Sequence, residues 1–254
     1  MKKLFVLMII AAIAVACKKD KEEPAAVAAL MLKWNRVYGA SGINNAYESY
    51  TFDADNKVSA SVYYNSEISA TPGNYTYTRN AAGQIIKSQR GNGYTAYEYN
   101  SSGQLSKSSL YNASGTLTGY YLFSYATGGY GRAFYSAAGV AGSRLECTYT
   151  ADKRNIAKEV WYNSRGDVMQ QIEYTYLAGP KPESIYPFSE IYMLDRGFVS
   201  KNAIDVITVN TPGYSPATTT YTYTYNPGGY PLTQKETFSN TDAPSVTTYE
   251  YIVR

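Results

Sequence analysis

Histidine is missing from all 254 residues. That absence removes the Ser-His-Asp and Cys-His schemes of nucleophilic catalysis and the commonest zinc sites together. No G-x-S-x-G elbow, S-x-x-K pair, phosphate-binding loop or dinucleotide fingerprint occurs either. Cysteine is scarce, with Cys17 and Cys147 only. Charge of one sign is lacking as well. Lys and Arg number 23 against 20 Asp and Glu, and loss of Lys2 and Lys3 with a leader leaves 21 against 20. Such a balance builds no field to steer nucleic acid, which is not an expected partner. Helix signals are few. Residues 25–34 (AAVAALMLKW) read as a short helix or a linker into the first strand, and beyond Tyr38 no 3.6-residue period is sustained.

The N-terminus carries the clearest address. Lys2 and Lys3 precede an uninterrupted apolar stretch, residues 4–16, which is too short to span a bilayer as a helix and suits a signal-peptide core. The stretch ends Ala14-Val15-Ala16-Cys17, which resembles the lipobox of bacterial lipoproteins, with Ala14 where Leu is commonest. The resemblance implies cleavage after Ala16 and lipidation of Cys17, so that the N-terminal lipid makes the membrane a partner. An ordinary secretory signal with a coincidental cysteine is the alternative. The KKDKEEP that follows reads as a solvated tether and is similar to the signal that sends lipoproteins of Bacteroidota to the outer face of the outer membrane. The expected organisation is a signal peptide at 1–16, an anchor and charged linker at 17–37, and a β domain at 38–254. With Cys17 acylated, Cys147 has no disulfide partner and is expected to be buried in the strand-like run ECTYT.

Tyrosine dominates the β domain, with 29 residues against 7 Phe and 2 Trp. A strand–turn–strand unit recurs: YTFDADNKV (50–58), YTRNAAGQI (77–85), YEYNSSGQL (97–105), FSYATGGYG (123–131) and YTYNPGGYP (223–231). A related turn appears in LYNASGTL (110–117), FYSAAGVA (134–141) and WYNSRGDV (161–168), and CTYTADKRN (147–155) is a weaker copy without glycine. Asn or Asp at the turn start bonds its own backbone two residues on, and Gly accepts the positive φ. Turns at Gly83, Gly103, Gly115, Gly129 and Gly139 space the strands as an antiparallel meander. The fold expected is therefore all-β: many short strands in a strongly twisted, curved or partly closed sheet whose long edges must be closed or covered. Segment 178–216, rich in proline, is expected to leave the meander as an irregular excursion against the concave side.

YEYNSSGQLSKSS and YTYNPGGYPLTQK resemble YD repeats, the β repeats of RHS proteins, and small Bacteroidota lipoproteins that carry them; Ser200-Lys201-Asn202 before the final Tyr-rich strands matches their order. The repeats are too few for the large RHS shell, so toxin delivery is not implied.

Chemistry is sparse. Asp53-Ala54-Asp55-Asn56 lacks the Gly and Glu of a calcium loop, whose places are held by Val58 and Tyr64, and reads as a hairpin turn. No metal and no cofactor are expected. Paired carboxylates could be drawn from Glu98, Glu146, Asp167, Glu173 or Glu183, but spacing singles out no pair. In TTTYTYTYN, Tyr221, Tyr223 and Tyr225 share one strand face and form a candidate platform for glycan or protein; full burial would remove it. The reading is a non-enzymatic, lipid-anchored, surface-exposed outer-membrane protein with a glycan- or protein-binding module. The alternative is a periplasmic or outer-membrane assembly factor. An outer-membrane barrel is disfavoured by charged strand positions at Lys87, Lys107, Lys158 and Glu159.

Overall fold

A computed structural model of the chain describes residues 31–38, 44–55, 57–65, 71–178, 194, 200–227, 231–239 and 244–252. The stretch 1–16 read as a signal peptide and Cys17 lie outside them. Among the described residues sixteen strands follow one another: β1 Met31–Tyr38, β2 Asn44–Phe52, β3 Val58–Asn65, β4 Gly73–Arg79, β5 Ile85–Arg90, β6 Gly93–Tyr99, β7 Leu105–Tyr111 and β8 Leu117–Ala126. Then come β9 Gly129–Ser136, β10 Ala141–Tyr149, β11 Ile156–Tyr162, β12 Val168–Tyr176, β13 Ile204–Asn210, β14 Ala217–Tyr225, β15 Pro231–Phe238 and β16 Ser245–Ile252. Each pairs antiparallel with the next, and β1 pairs β16 from Met31↔Ile252 to Val37↔Val246. The expected meander therefore closes into a barrel, which removes the edges an open sheet would expose. Strand β1 opens at Met31, within the 17–37 stretch read as linker.

The turns explain the meander. At Asn100 the side-chain Oδ1 accepts from the Ser102 and Gln104 amides at 3.0 and 2.9 Å, while Gly103 N–H donates to Asn100 O. Gly103 sits at φ 76°, where a Cβ would be strained. Asn80, Asn112 and Asn163 cap their turns in the same way, and Asp53 accepts from Asp55 and Lys57, which is the hairpin reading of that acidic run. In the copy without glycine, Lys153 takes the left-handed position at φ 57°. Gly129 is a correction. Ala126 pairs with Gly129, so the turn is the two-residue Thr127-Gly128, and Gly129 belongs to β9. Its glycine answers a close approach instead: a Cβ there would collide with the carbonyl oxygen of Cys147.

One face of each strand carries the buried residues and looks into the barrel. Val58, Ile85, Leu105 and Ile156, each the first residue after a turn, are at most 5% exposed. They gather with tyrosines in three clusters, one around Tyr50 and Tyr249, one around Tyr97, and one around Tyr130, Leu145 and Cys147. Cys147 is buried in β10 as expected. Tyrosine hydroxyls then tie one hairpin to another. Tyr99 donates to Ile85 O at 2.7 Å, Tyr125 to Leu105 O at 3.0 Å, Tyr176 to Ile156 O at 2.7 Å and Tyr223 to Ile204 O at 3.0 Å.

The proline-rich excursion is shorter than the sequence suggested. Strand β13 lies within 178–216 and pairs β12, so the sheet is not interrupted. Of residues 179–199 only Leu194 is described; it is helical, buried, and packed with Ile85, Tyr97 and Leu105. Ser200-Lys201-Asn202 returns the chain to the sheet by clamping onto the β10–β11 turn. Asn155 Oδ1 accepts from the amides of Lys201 and Asn202, both at 2.8 Å, and Ser200 Oγ accepts from Ile156 N–H. Asn155 is 5% exposed, so its loss strands two amides away from water. Asn155→Ala is expected to destabilise the protein by about 2 to 3 kcal/mol in chemical denaturation. Asn155→Asp keeps the acceptor but loses the donor to Asn202 Oδ1 at 3.2 Å and buries a charge, so it should recover only part of that; a loss under about 0.5 kcal/mol for the alanine variant would show that the clamp holds nothing.

Candidate functional site

The barrel has two ends. Where β1 begins and β16 finishes lie the turns at 53–57, 80–84, 100–104 and 150–155 and the excursion between β12 and β13. At the opposite end, called far below, lie 91–92, 112–116, 136–140 and 163–167. Tyrosines divide between the two faces of the wall, and their chemistry divides with them.

Tyr221, Tyr223 and Tyr225 share a face as expected, and it is the inward one, with Thr220, Thr222 and Thr224 outward. They are not fully buried. Tyr221 pairs across from Glu236, which is 5% exposed. Tyr223 is held from two sides, donating to Ile204 O and accepting from Gln234 Nε2, whose Oε1 accepts from Tyr249. Tyr225 is 42% exposed. Tyr223 therefore fastens β14 to β13 and β15, and of the trio only Tyr225 offers a substantial surface.

A second set of tyrosines faces outward near the far end. Tyr94 of β6 stacks on Tyr111 of β7, centroids 4.5 Å apart and planes 12° apart. Tyr120 of β8 stacks on Tyr135 of β9 at 5.3 Å and 11°. Lys87 Nζ stands 4.5 Å over the Tyr94 ring, and Lys107 Nζ 5.3 Å over Tyr120. Further round, Tyr47 packs against Tyr64, and the Arg144 guanidinium lies 3.8 Å over Tyr162. For Tyr64, Tyr120, Tyr135 and Tyr162 the sequence carries a signal in adjacent aromatics: strand alternation sends one member of Tyr120-Tyr121, Phe134-Tyr135, Trp161-Tyr162 and Tyr63-Tyr64 to each face.

The carboxylates considered as an acid/base pair are kept apart. Glu98 pairs with Lys107, Glu146 with Arg144, Glu173 with Lys158 and Asp167 with Arg165, all exposed on the surface. Glu183 lies outside the described residues. Glu159 corrects the charged strand positions: Lys87, Lys107 and Lys158 point outward, but Glu159 is inward and 2% exposed, accepting from Trp161 Nε1 at 3.3 Å. Nearby Arg132 stacks over Tyr121 and Trp161. Among the described residues no group of three His, Cys, Asp or Glu side chains could hold a metal.

No family model and no curated protein matches the chain. Solved structures do. A porin-like protein from Bacteroides uniformis superposes with a TM-score of 0.60 over 87% of this chain and 96% of its own, at 14% identity. A porin-like protein from Bacteroides vulgatus gives 0.46 over 87% and 97%, at 11% identity. The Photorhabdus luminescens Tc holotoxin pore gives 0.32 over 81% of this chain and 12% of its own, at 14% identity. At such identities the first likeness shows a shared β fold and nothing more, and the other two carry no argument.

One inward tyrosine makes the interior measurable. Burial, and then the neighbouring Tyr149 and Tyr99, push the Tyr125 phenol up to about 12 from 10.0. The folded state thus holds this proton more tightly than the unfolded chain. Its contribution to stability is complete below pH 10 and is lost as pH rises towards 12. Urea midpoints are expected to fall over that interval, and Tyr125→Phe should fall less steeply, from a lower start because the bond to Leu105 O is gone. Equal slopes would contradict the assignment.

Proposed function

We propose that the chain is a non-enzymatic, lipid-anchored protein of the bacterial envelope, held at the outer membrane through Cys17 and presenting a surface that binds glycan or protein. The observation that carries this reading is the position of the outward tyrosines. The chain enters the barrel at Met31, so an anchor at Cys17 turns that end to the membrane. The Tyr94, Tyr111, Tyr120 and Tyr135 rim lies at the other end, facing away from it.

The outward face also argues how the barrel meets the membrane. Strand centres there carry Thr76, Lys107, Lys158, Glu173 and Thr222. A lipid-spanning barrel needs an apolar outward band about 25 Å tall between aromatic girdles. Ion pairs and threonines occupy that place, which favours a barrel standing in water on its tether over a pore of the kind the porin-like neighbours' names suggest.

Antibody against an epitope in the 112–116 turn, applied to intact cells, tests the proposal. The native chain is expected to be labelled and to fractionate with the outer membrane, while Cys17→Ala is expected to leave the membrane fraction. Protection of the epitope, with membrane association still dependent on Cys17, would overturn surface display and make periplasmic assembly the leading account.

A further inference from the structure

From the outward rim over β6–β9 we infer a binding site for an acidic polysaccharide, with sugar rings against the stacked tyrosines and carboxylates at Lys87 and Lys107. This rests on the reading of the chain as a binding module and names the ligand class for it.

The four rim tyrosines contrast with six of the inward ones. Those six use their hydroxyls: Tyr77 with Ser61, Tyr97 with Ser88, and Tyr99, Tyr125, Tyr176 and Tyr223 with backbone carbonyls. Among the described residues, no hydrogen bond within the protein reaches the hydroxyls of Tyr94, Tyr111, Tyr120 or Tyr135. Their rings are nevertheless fixed, each half-buried and stacked on a partner from the next strand. Rings already held in place lose little freedom on binding, and their edges and hydroxyls remain available.

Charge narrows the class. Lys87 has no acidic partner among the described residues, and its ammonium rests against the Tyr94 ring. Lys107 shares Glu98 at 3.3 Å and also caps Tyr120. Two ammonium groups thus flank the paired rings with one carboxylate between them, a surplus of one positive charge. A protein partner would favour a broad apolar patch. Leu122, 40% exposed, is the one large exposed hydrophobic side chain on β6–β9, and Thr118 and Ser124 lie beside it on the same face. A chain of hydroxyl-rich rings carrying carboxylates matches rings, hydroxyls and ammonium groups together.

The test titrates the full chain, purified in detergent, with polygalacturonate, alginate and hyaluronate, each beside its carboxyl-reduced form. Binding to at least one acidic polymer is expected, weaker by about tenfold for its reduced form and weakening with salt. Tyr94→Ala with Tyr120→Ala should abolish it, and Lys87→Gln should reduce it several-fold while Lys87→Arg retains it. Tyr120→Phe keeps the stack and loses the hydroxyl, so a few-fold loss there remains informative if the double variant misfolds. Absence of binding to all three polymers, equal binding to the reduced forms, or indifference to these substitutions would overturn the inference. The titration is blind to location, so its failure leaves surface display standing, and a protected epitope on cells leaves a binding result standing.

Discussion

The bond on which the barrel depends runs from a tyrosine hydroxyl to the backbone carbonyl of an earlier hairpin. At Ile85 and Leu105 three features coincide: an Asn-capped turn reverses the chain, a bulge precedes it, and an apolar residue restarts the next strand. The register shifts at Thr78/Arg79 and Glu98/Tyr99 are those bulges. Arg79 shows that the position matters more than the residue: where a tyrosine would stand before Asn80, its guanidinium reaches Val58 O at 3.0 Å. Because the tyrosine bonds span 14 to 20 residues, neighbouring hairpins cannot slip independently, and a chain poor in Leu and Phe still acquires a specified interior.

Much of this was legible in the sequence. The Asn-x-x-Gly spacing located most turns, period-two alternation placed Tyr221, Tyr223 and Tyr225 on one face, and ECTYT buried its cysteine. Local chemistry fixes these features, so local reading finds them. The Thr127-Gly128 hairpin was misread because a run of small residues fits two turns, and what decides is the approach of the Cys147 carbonyl from β10. Closure of the sheet was beyond local reading, since β1 meets β16 from opposite ends of the chain. Strand β13 was obscured by the prolines on either side of it.

For the candidate site, the sequence singled out an inward-facing trio and passed over the outward rings. Uninterrupted alternation drew attention to Tyr221, Tyr223 and Tyr225, yet regular alternation is what a wall-facing structural residue requires. Tyr120 and Tyr135 interrupt the pattern: each stands beside an inward aromatic, and the pair, which spoils a clean period, puts one ring outside. Likewise Ser200-Lys201-Asn202, legible as a recurring order, turns out to be a backbone clamp. The wall thus divides its work. The inward face joins hairpins through hydroxyls and buried apolar residues, and the outward face turns threonines, ion pairs and a few stacked rings to water.

Hydroxyl-radical footprinting of the native chain, read tyrosine by tyrosine by mass spectrometry, tests that division most directly. Tyr94, Tyr111, Tyr120 and Tyr135 are expected to be modified readily, with Tyr50, Tyr97 and Tyr130 protected until the chain is unfolded. Modification of Tyr50, Tyr97 and Tyr130 as fast as the outward four would contradict a closed barrel with two chemically distinct faces.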